Sequence, residues 1–518
     1  MGRLFGGVAA GLLLLALALL GIERGLDLSL LTRNPAVRFS RLADNDELWH
    51  LATGRVIVET GHVPDRDPFT FTAGETPWTN TNWLAQVLLW ELYRAGGIEL
   101  DWVLGIALWL GAVALVHTRA RGRGSGLATI AGTFYVLFVL RRTSEVRPQG
   151  WTFLLLAATL LLAESPLLTK GDIPLTQRRR QAVGLAFVAI LADQLHGGFV
   201  FILGALLLAA LGVAIDARSA RAARPLALAL VAGLLGFVLH PHHASALVHP
   251  FRYALEPGIR FMASRTGELM PPEVRGLTAA LILAPPAVVA LGALLERKRF
   301  SSADALQVVA FLLLALQSRR GLHYFAIVVS GPLATALAII FARLARVARL
   351  GEDLTEAERV AGDGFGRFAP WALAAALLVT LAGRASAFAP GQPGDMSDPL
   401  FSPHADVADM ASSVAALPGT RILNRDEAGG ALIWKCWPAK KVFIDTRGDF
   451  HGMTGAFADL VTVWSTKPGW EAIVERDRCD LALVDHETPL EDGLRARGWK
   501  VLRVNRTFTL LARPSKNE

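Results

Sequence analysis

Cysteine is scarce in this chain: two in 518 residues, Cys436 and Cys479. That count excludes a disulfide scaffold and a Cys-rich metal centre and leaves room for one bridge at most. Charge is scarce as well, at 19% of residues against 53% hydrophobic, with a mean hydropathy of +0.40. A soluble chain of this length would be far more polar. There is no obvious short-period repeat and no long low-complexity tract, so organisation has to be read from hydropathy and charge. The net charge of +7 does not imply nucleic acid, because most of the surplus sits in short loops between apolar runs.

Those apolar runs have membrane length and recur throughout. Spans are expected near 5–22, 102–117, 126–140, 151–163, 183–195, 198–214, 226–240, 276–295, 304–317, 322–341 and 369–387, eleven in all. The first has no convincing small-x-small cleavage site after it and is long for a signal-peptide core, so it is read as an uncleaved span. With the N-terminus in the cytoplasm, the inside loops become "HTRARGRG", "TKGDIPLTQRRRQ", "DARSARAAR", "ERKRF" and "FARLARVARL", all basic. The acid-rich loop 23–101 and everything after about 390 then fall outside. The arginines of "RRTSEVRPQG" (Arg141, Arg142, Arg147) and "QSRRGLH" (Arg319, Arg320) go against the rule by gathering at outer span ends.

Beyond a linker at 389–399, the tail changes character. "RILN", "KVFID", "LALVD" and "KVLRV" are short β-rich runs separated by helix-like stretches, which predicts a small α/β domain with a largely parallel sheet. The expected division is a membrane domain over 1–389 and an extracytoplasmic α/β domain over 390–518.

Chemistry concentrates in "RLADNDELWHLATGRVIVETG", which opens on Asp44, Asp46 and Glu47. Asp44 and Glu47 have capping-box spacing. The run from Leu48 makes one apolar helical face that Gly61 stops, predicting a helix on the membrane surface with Trp49 in the interface. Capping does not require Asp46. A carboxylate at a helix start near the membrane plane is placed to act as general base on an acceptor hydroxyl or amine.

An Asp-Glu pair soon after the first span, followed by a juxtamembrane helix that ends in Gly, resembles the GT-C superfamily of membrane glycosyltransferases. The protein O-mannosyltransferases and the lipid A aminoarabinose transferase have this arrangement. "DPFTFTAGETPWTNTNWLAQVLL" is similar to that superfamily's second juxtamembrane segment. "QLHGG", "SRRGLHYF" and "VFIDTRGDFHG" look like marks of a less characterised bacterial branch. The resemblance implies a polytopic α-helical fold, a polyprenyl-phosphate sugar donor, an outer-face active site and a catalytic acid in the first outer loop. That acid maps onto Asp46, with Asp44 and Glu47 as the lesser candidates. His50 departs from the Tyr often found there, and the tail is not shared with the O-mannosyltransferases.

Each remaining candidate has two readings. Arg319 and Arg320 either snorkel to the interface or hold a lipid phosphate; Arg141, Arg142 and Arg147 follow the same logic more weakly. His196, beside two glycines, is a buried hydrogen-bonding group or a substrate contact. Trp83, like Trp49 and Trp78, would line a sugar or lipid path, although interfacial anchoring is simpler. In the tail, Asp445, Arg447 and Asp449 follow a strand end, where ligands often bind, but an internal salt bridge is favoured. Asp65 and Asp67 read first as turn caps and second as ligands of a divalent metal ion. The "HPHH" imidazoles (His240, His242, His243) and His249 read as loop rather than zinc site.

The expected function is sugar transfer from a polyprenyl-phosphate donor to an extracytoplasmic acceptor in the bacterial cell envelope. The chemistry would be inverting, with Asp46 as base and no cofactor beyond a metal ion at most. The partners are the donor, membrane lipids and the acceptor, with no nucleic acid, and the expected location is the inner (cytoplasmic) membrane with a periplasmic tail. The alternatives are a transporter or flippase for a lipid-linked sugar and a non-catalytic scaffold. A transporter would call for charged or broken helices near the midplane.

Overall fold

The computed structural model describes residues 45–141, 143, 146–164, 175–347 and 405–514. The expected spans at 5–22 and 369–387, the linker, Asp44 and Arg142 lie outside the described residues.

Two helices precede the spans: α1 (Asn45–Thr60) and α2 (Trp83–Gly96). Acids in the first turn of α1 suit the positive end of the helix, and Gly61, at φ +73°, stops it in a left-handed turn. The backbones of α1 and α2 touch at Gly54, where a Cβ would collide with the Gln86 carbonyl. Then come α3 (Ile98–Arg123), α4 (Gly126–Leu140), α5 (Gln149–Ala163), α6 (Leu175–Leu195), α7 (Phe199–Ala217) and α8 (Arg224–Gly236). A short helix, α9 (Pro257–Ala263), sits in the long connection to α10 (Gly276–Leu295), α11 (Ser302–Gln317) and α12 (Gly321–Val347). A helix thus lies at every interior position where the hydropathy places a span.

Among the described residues, four helices are long and apolar enough to cross a membrane by themselves: Leu100–Arg123, Phe199–Ala217, Gly276–Leu295 and Gly321–Leu344. Large apolar side chains point outward from the bundle, including Phe187, Leu211, Leu235, Leu294 and Leu313. Water would penalise such a surface, whereas hydrocarbon would not.

Charges clasp one end of the bundle. Arg123 makes a two-pronged pair with Asp304 at 2.7 Å and reaches Glu164 at 2.9 Å, tying the ends of α3, α5 and α11 together. Arg119, almost fully buried, pairs with Glu164 and donates to the Val328 carbonyl at 2.8 Å. Pro332 explains that last bond: having no N–H, it leaves the carbonyl four residues earlier in α12 without its helical partner. Arg147, His196 and Arg320 lie at the start of α5, the end of α6 and the start of α12, so the bundle has two chemically distinct faces.

The tail begins with α13 (Ala405–Ala416), followed by β1 (Arg421–Asn424), α14 (Asp426–Cys436), β2 (Lys441–Val442) and α15 (Gly448–Thr454). It continues to β3 (Leu481–Asp485), β4 (Lys500–Val504) and β5 (Phe508–Ala512). The sheet order is β2-β1-β3-β5-β4. β1 is parallel to β2 and β3, but β5 is antiparallel to both β3 and β4, so the sheet is mixed rather than largely parallel. The reason is local: Asn505 caps the amides of Thr507 and Phe508 and turns the chain straight back as a hairpin. Both cysteines are buried and free.

The β2 edge is covered by the first loop. The Val442 amide donates to the Phe69 carbonyl at 3.1 Å, and the Phe71 amide donates to the Val442 carbonyl at 3.2 Å. The Thr72 hydroxyl adds a bond to the Phe443 carbonyl at 2.6 Å, and Trp437 reaches the Pro68 carbonyl at 3.2 Å. Residues of α1, of the first loop and of the tail share one apolar core. Trp49 is therefore buried at 6% exposure instead of resting in the lipid interface, which corrects the expectation of a surface helix.

Candidate functional site

The site lies where the start of α1 meets the bundle face opposite the Arg123 clasp. Asp46 is in the first turn of α1, with its side chain 21% exposed. Trp49 Nε1 donates to its Oδ1 at 3.4 Å, and Arg147 Nη1 is 3.5 Å from its Oδ2. The same Arg147 nitrogen lies 3.6 Å from Glu268 Oε2, and Arg320 Nη2 bonds to Glu268 Oε1. A chain of alternating charge thus runs Asp46, Arg147, Glu268, Arg320.

Burial pushes the Asp46 carboxyl up to about 6, helped by the negative charge of Glu268 and opposed by the Thr446 hydroxyl, Trp49 and Arg320. For Glu268, burial acts upward, but Arg320 and Arg147 hold it below its ordinary value. Glu47, next to Asp46, is fully buried, so of the two carboxylates only Asp46 is open to solvent.

Two histidines back the cluster. Thr152 Oγ1 lies 2.7 Å from His196 Nδ1, and the Gly198 amide donates to that nitrogen at 3.0 Å. A nitrogen that accepts from a backbone N–H has no proton of its own, so a neutral His196 carries its hydrogen on Nε2. Burial and the charge of Arg320 bring His196 down to about 3. His50 Nδ1 accepts from Gln86 at 3.0 Å and is held well below its ordinary value by burial, then by His196 and Arg447. Both rings are therefore neutral.

Other candidates lie elsewhere. The Arg319 side chain is exposed, and its amide donates to the Met270 carbonyl at 3.0 Å. Arg141 donates to the Phe138 carbonyl and lies 4.0 Å over that residue's ring. Trp83 donates to Gln194 at 3.3 Å.

In the tail the internal salt bridge is present. Arg447 binds Asp445 through Nε at 2.8 Å and Nη2 at 2.5 Å, and Asp67 of the first loop through Nη2 at 2.8 Å. The rings of Trp78, Phe450, Phe69 and Trp49 surround it at 4.6–5.8 Å. Burial acts to raise Asp445, but Arg447 and then His451 hold it well below its usual range. Asp67 also caps the Phe69 and Thr70 amides at 3.0 Å. Among the described residues, no three His, Cys, Asp or Glu side chains are arranged to hold a metal ion. Asp65 is solvated, at 89% side-chain exposure, 3.7 Å from His242.

Sequence reasoning missed several groups. Glu268 is one acid in an irregular connection, and no local pattern marks it. Thr446, next to Arg447, faces Asp46 without a hydrogen bond of good geometry. Asp449 and His249 were each named from the sequence but not together; they pair at 2.7 Å, linking the tail to the segment before α9. Tyr253 senses the charges of Asp449, Arg320 and Glu268, and burial raises its phenol. The one signal for Glu268, Thr446 and Tyr253 was their place on the expected outer side.

No protein-family model matches the chain, and no curated protein matches it. Solved structures do. The oligosaccharyltransferase AglB from the archaeon Archaeoglobus fulgidus, in complex with an inhibitory peptide and a dolichol-phosphate, aligns at 15% identity over 92% of this chain and 69% of its own, with a TM-score of 0.51. The Archaeoglobus fulgidus oligosaccharyltransferase tethered to an acceptor peptide aligns at 15% identity over the same shares, with a TM-score of 0.50. ArnT from Cupriavidus metallidurans in the apo state aligns at 14% identity over 90% of this chain and 93% of its own, with a TM-score of 0.46. At that identity the likeness is one of fold: over 92% of its length, bundle and tail together, this chain is arranged like the archaeal oligosaccharyltransferase.

Proposed function

We propose that the chain transfers a sugar from a polyprenyl-phosphate-linked donor to an acceptor outside the inner membrane. The observation that carries this reading is that Asp46 shares one charge network with Arg147 and Arg320 at one end of the helical bundle. A base and a phosphate-binding pair are what the transfer needs side by side. The acceptor hydroxyl or amine attacks the anomeric carbon and passes its proton to Asp46. The anomeric C–O bond to the phosphate breaks, and the lipid phosphate leaves with the electron pair, its charge met by Arg320 and Arg147. Attack opposite the leaving group inverts the anomeric centre. The fold likeness to a protein solved with a dolichol-phosphate supports the class of donor.

Two experiments test the parts. Donor-lipid binding to the purified protein should weaken on Arg320→Lys, since a point charge lacks the planar fork, and weaken further on Arg320→Ala. Arg319→Ala should bind as wild type, its side chain being exposed. Equal affinity across the whole set would return Arg320 to an interfacial anchor.

Sidedness is tested with single cysteines at exposed positions in a background lacking Cys436 and Cys479. Glu75→Cys and Lys467→Cys should react with a membrane-impermeant thiol reagent applied from outside, whereas Arg180→Cys and Lys298→Cys should react only after the membrane is opened. Similar labelling at positions 75 and 298 would sink the topology, and the outer-face site with it.

A further inference from the structure

Glu268 bridges the two arginines assigned to the donor phosphate. Arg320 hydrogen-bonds one carboxylate oxygen, and Arg147 lies 3.6 Å from the other. A carboxylate between two guanidinium groups presents two oxygens in the geometry that a phosphate would use. Resting on the reading above, we propose that Glu268 stands in for the donor phosphate in the empty protein and is exchanged for it when the donor arrives.

The exchange needs a side-chain rotation and no loop opening. The Arg320 amide donates to the Glu268 carbonyl at 2.9 Å, and the Arg319 amide to the Met270 carbonyl at 3.0 Å, so the backbone around Glu268 is pinned to the start of α12. The side chain itself is 40% exposed and has water to swing into. Arg320 keeps a donor in reserve: its Nε is buried without a hydrogen-bond partner, as is Nδ1 of His323 one turn on. A carboxylate that uses Nη2 leaves Nε unused, while the donor's phosphodiester, with two free oxygens, can take both positions of the fork. Leaving Arg320 without its carboxylate between turnovers would be costly, and Glu268 prevents that.

The placeholder lowers affinity for every anion that must displace it. Removing its charge should raise affinity for a lipid phosphate by at least about tenfold, the scale of one charge-assisted hydrogen bond. The measurement is binding of farnesyl phosphate in detergent micelles, with farnesol as the neutral control and inorganic phosphate as competitor. The proteins are wild type, Glu268→Gln, Glu268→Ala, Arg320→Ala and Glu273→Gln. Glu273 lies in the same connection, paired with Arg275, and its replacement changes net charge equally.

The expected result is tighter farnesyl phosphate binding by both Glu268 variants, unchanged binding by Glu273→Gln and weak binding by Arg320→Ala. Unchanged or weaker binding by Glu268→Gln, with Arg320→Ala still weak, overturns the placeholder role and leaves the phosphate site standing. An equal gain in Glu273→Gln overturns it as well, reducing the effect to net charge. Wild-type binding by Arg320→Ala removes the phosphate site and the placeholder together. Inorganic phosphate competing as well as the lipid would reassign the occupant from a lipid headgroup to the free anion.

Discussion

Asp46→Asn, at equal membrane abundance, slows transfer by about 10²–10⁴-fold, the range for loss of a positioned general base. Asn keeps the size, and it remains able to accept from Trp49 Nε1. What it loses is the ability to take a proton. The pH profile separates this role from a packing role. Burial raises Asp46 to about 6, so the wild-type carboxyl is mostly charged at pH 7 and becomes protonated as pH falls through about 6. The working form is the charged one, so wild-type kcat/KM should decline below pH 6, and that limb should be absent from the residual activity of Asp46→Asn. A purely structural Asp46 would lower the rate without removing the limb. A wild-type rate from Asp46→Asn would dismiss it as the base.

The environment of Asp46 also shows what the sequence could and could not disclose. The spans were legible because hydrocarbon leaves no choice: every backbone group must be paired within a helix, and the apolar composition marks each one. The acid cluster, His50, Arg147, His196 and Arg320 were legible because charges and imidazoles at span ends are few. Their convergence was not, since it depends on how the helices pack. Trp49 shows the limit. Its apolar face suits a lipid interface equally well, and only the tail, some four hundred residues further on, covers it. Glu268 was invisible for a different reason: a single acid in an irregular connection has no period and no motif. The mixed sheet turned on one Asn cap at residue 505 that the β-run pattern does not weigh.

The largest stability effect is expected at Arg447, whose side chain is 2% exposed between Asp445 and Asp67, themselves fully buried. Arg447→Met fills much of the ring-lined space but leaves Asp67 buried without a counter-ion and Asp445 with His451 alone. Breaking a buried pair from one side costs about 3–5 kcal/mol, because the charge left behind has lost both solvent and partner. Asp445 would have to take up a proton or drag water into the core shared by α1, the first loop and the tail. The damage should therefore appear as release of the tail from the first loop, read as faster proteolysis within 400–514 and a lower unfolding temperature in detergent. Adding Asp67→Asn and Asp445→Asn to Arg447→Met should recover part of the loss, since no charge is then buried unpaired. That rescue distinguishes electrostatic stranding from poor packing, which three substitutions would only worsen. The wild-type clamp has its own pH signature. Asp445 is held well below its usual range, so the stability it contributes is complete above about pH 4 and is lost only as pH falls toward its depressed value. Because Thr446, which faces Asp46, is the neighbour of Arg447 in the chain, loosening the clamp should also depress transfer. An Arg447→Met protein as stable as wild type would show that the tail is held by its apolar contacts alone.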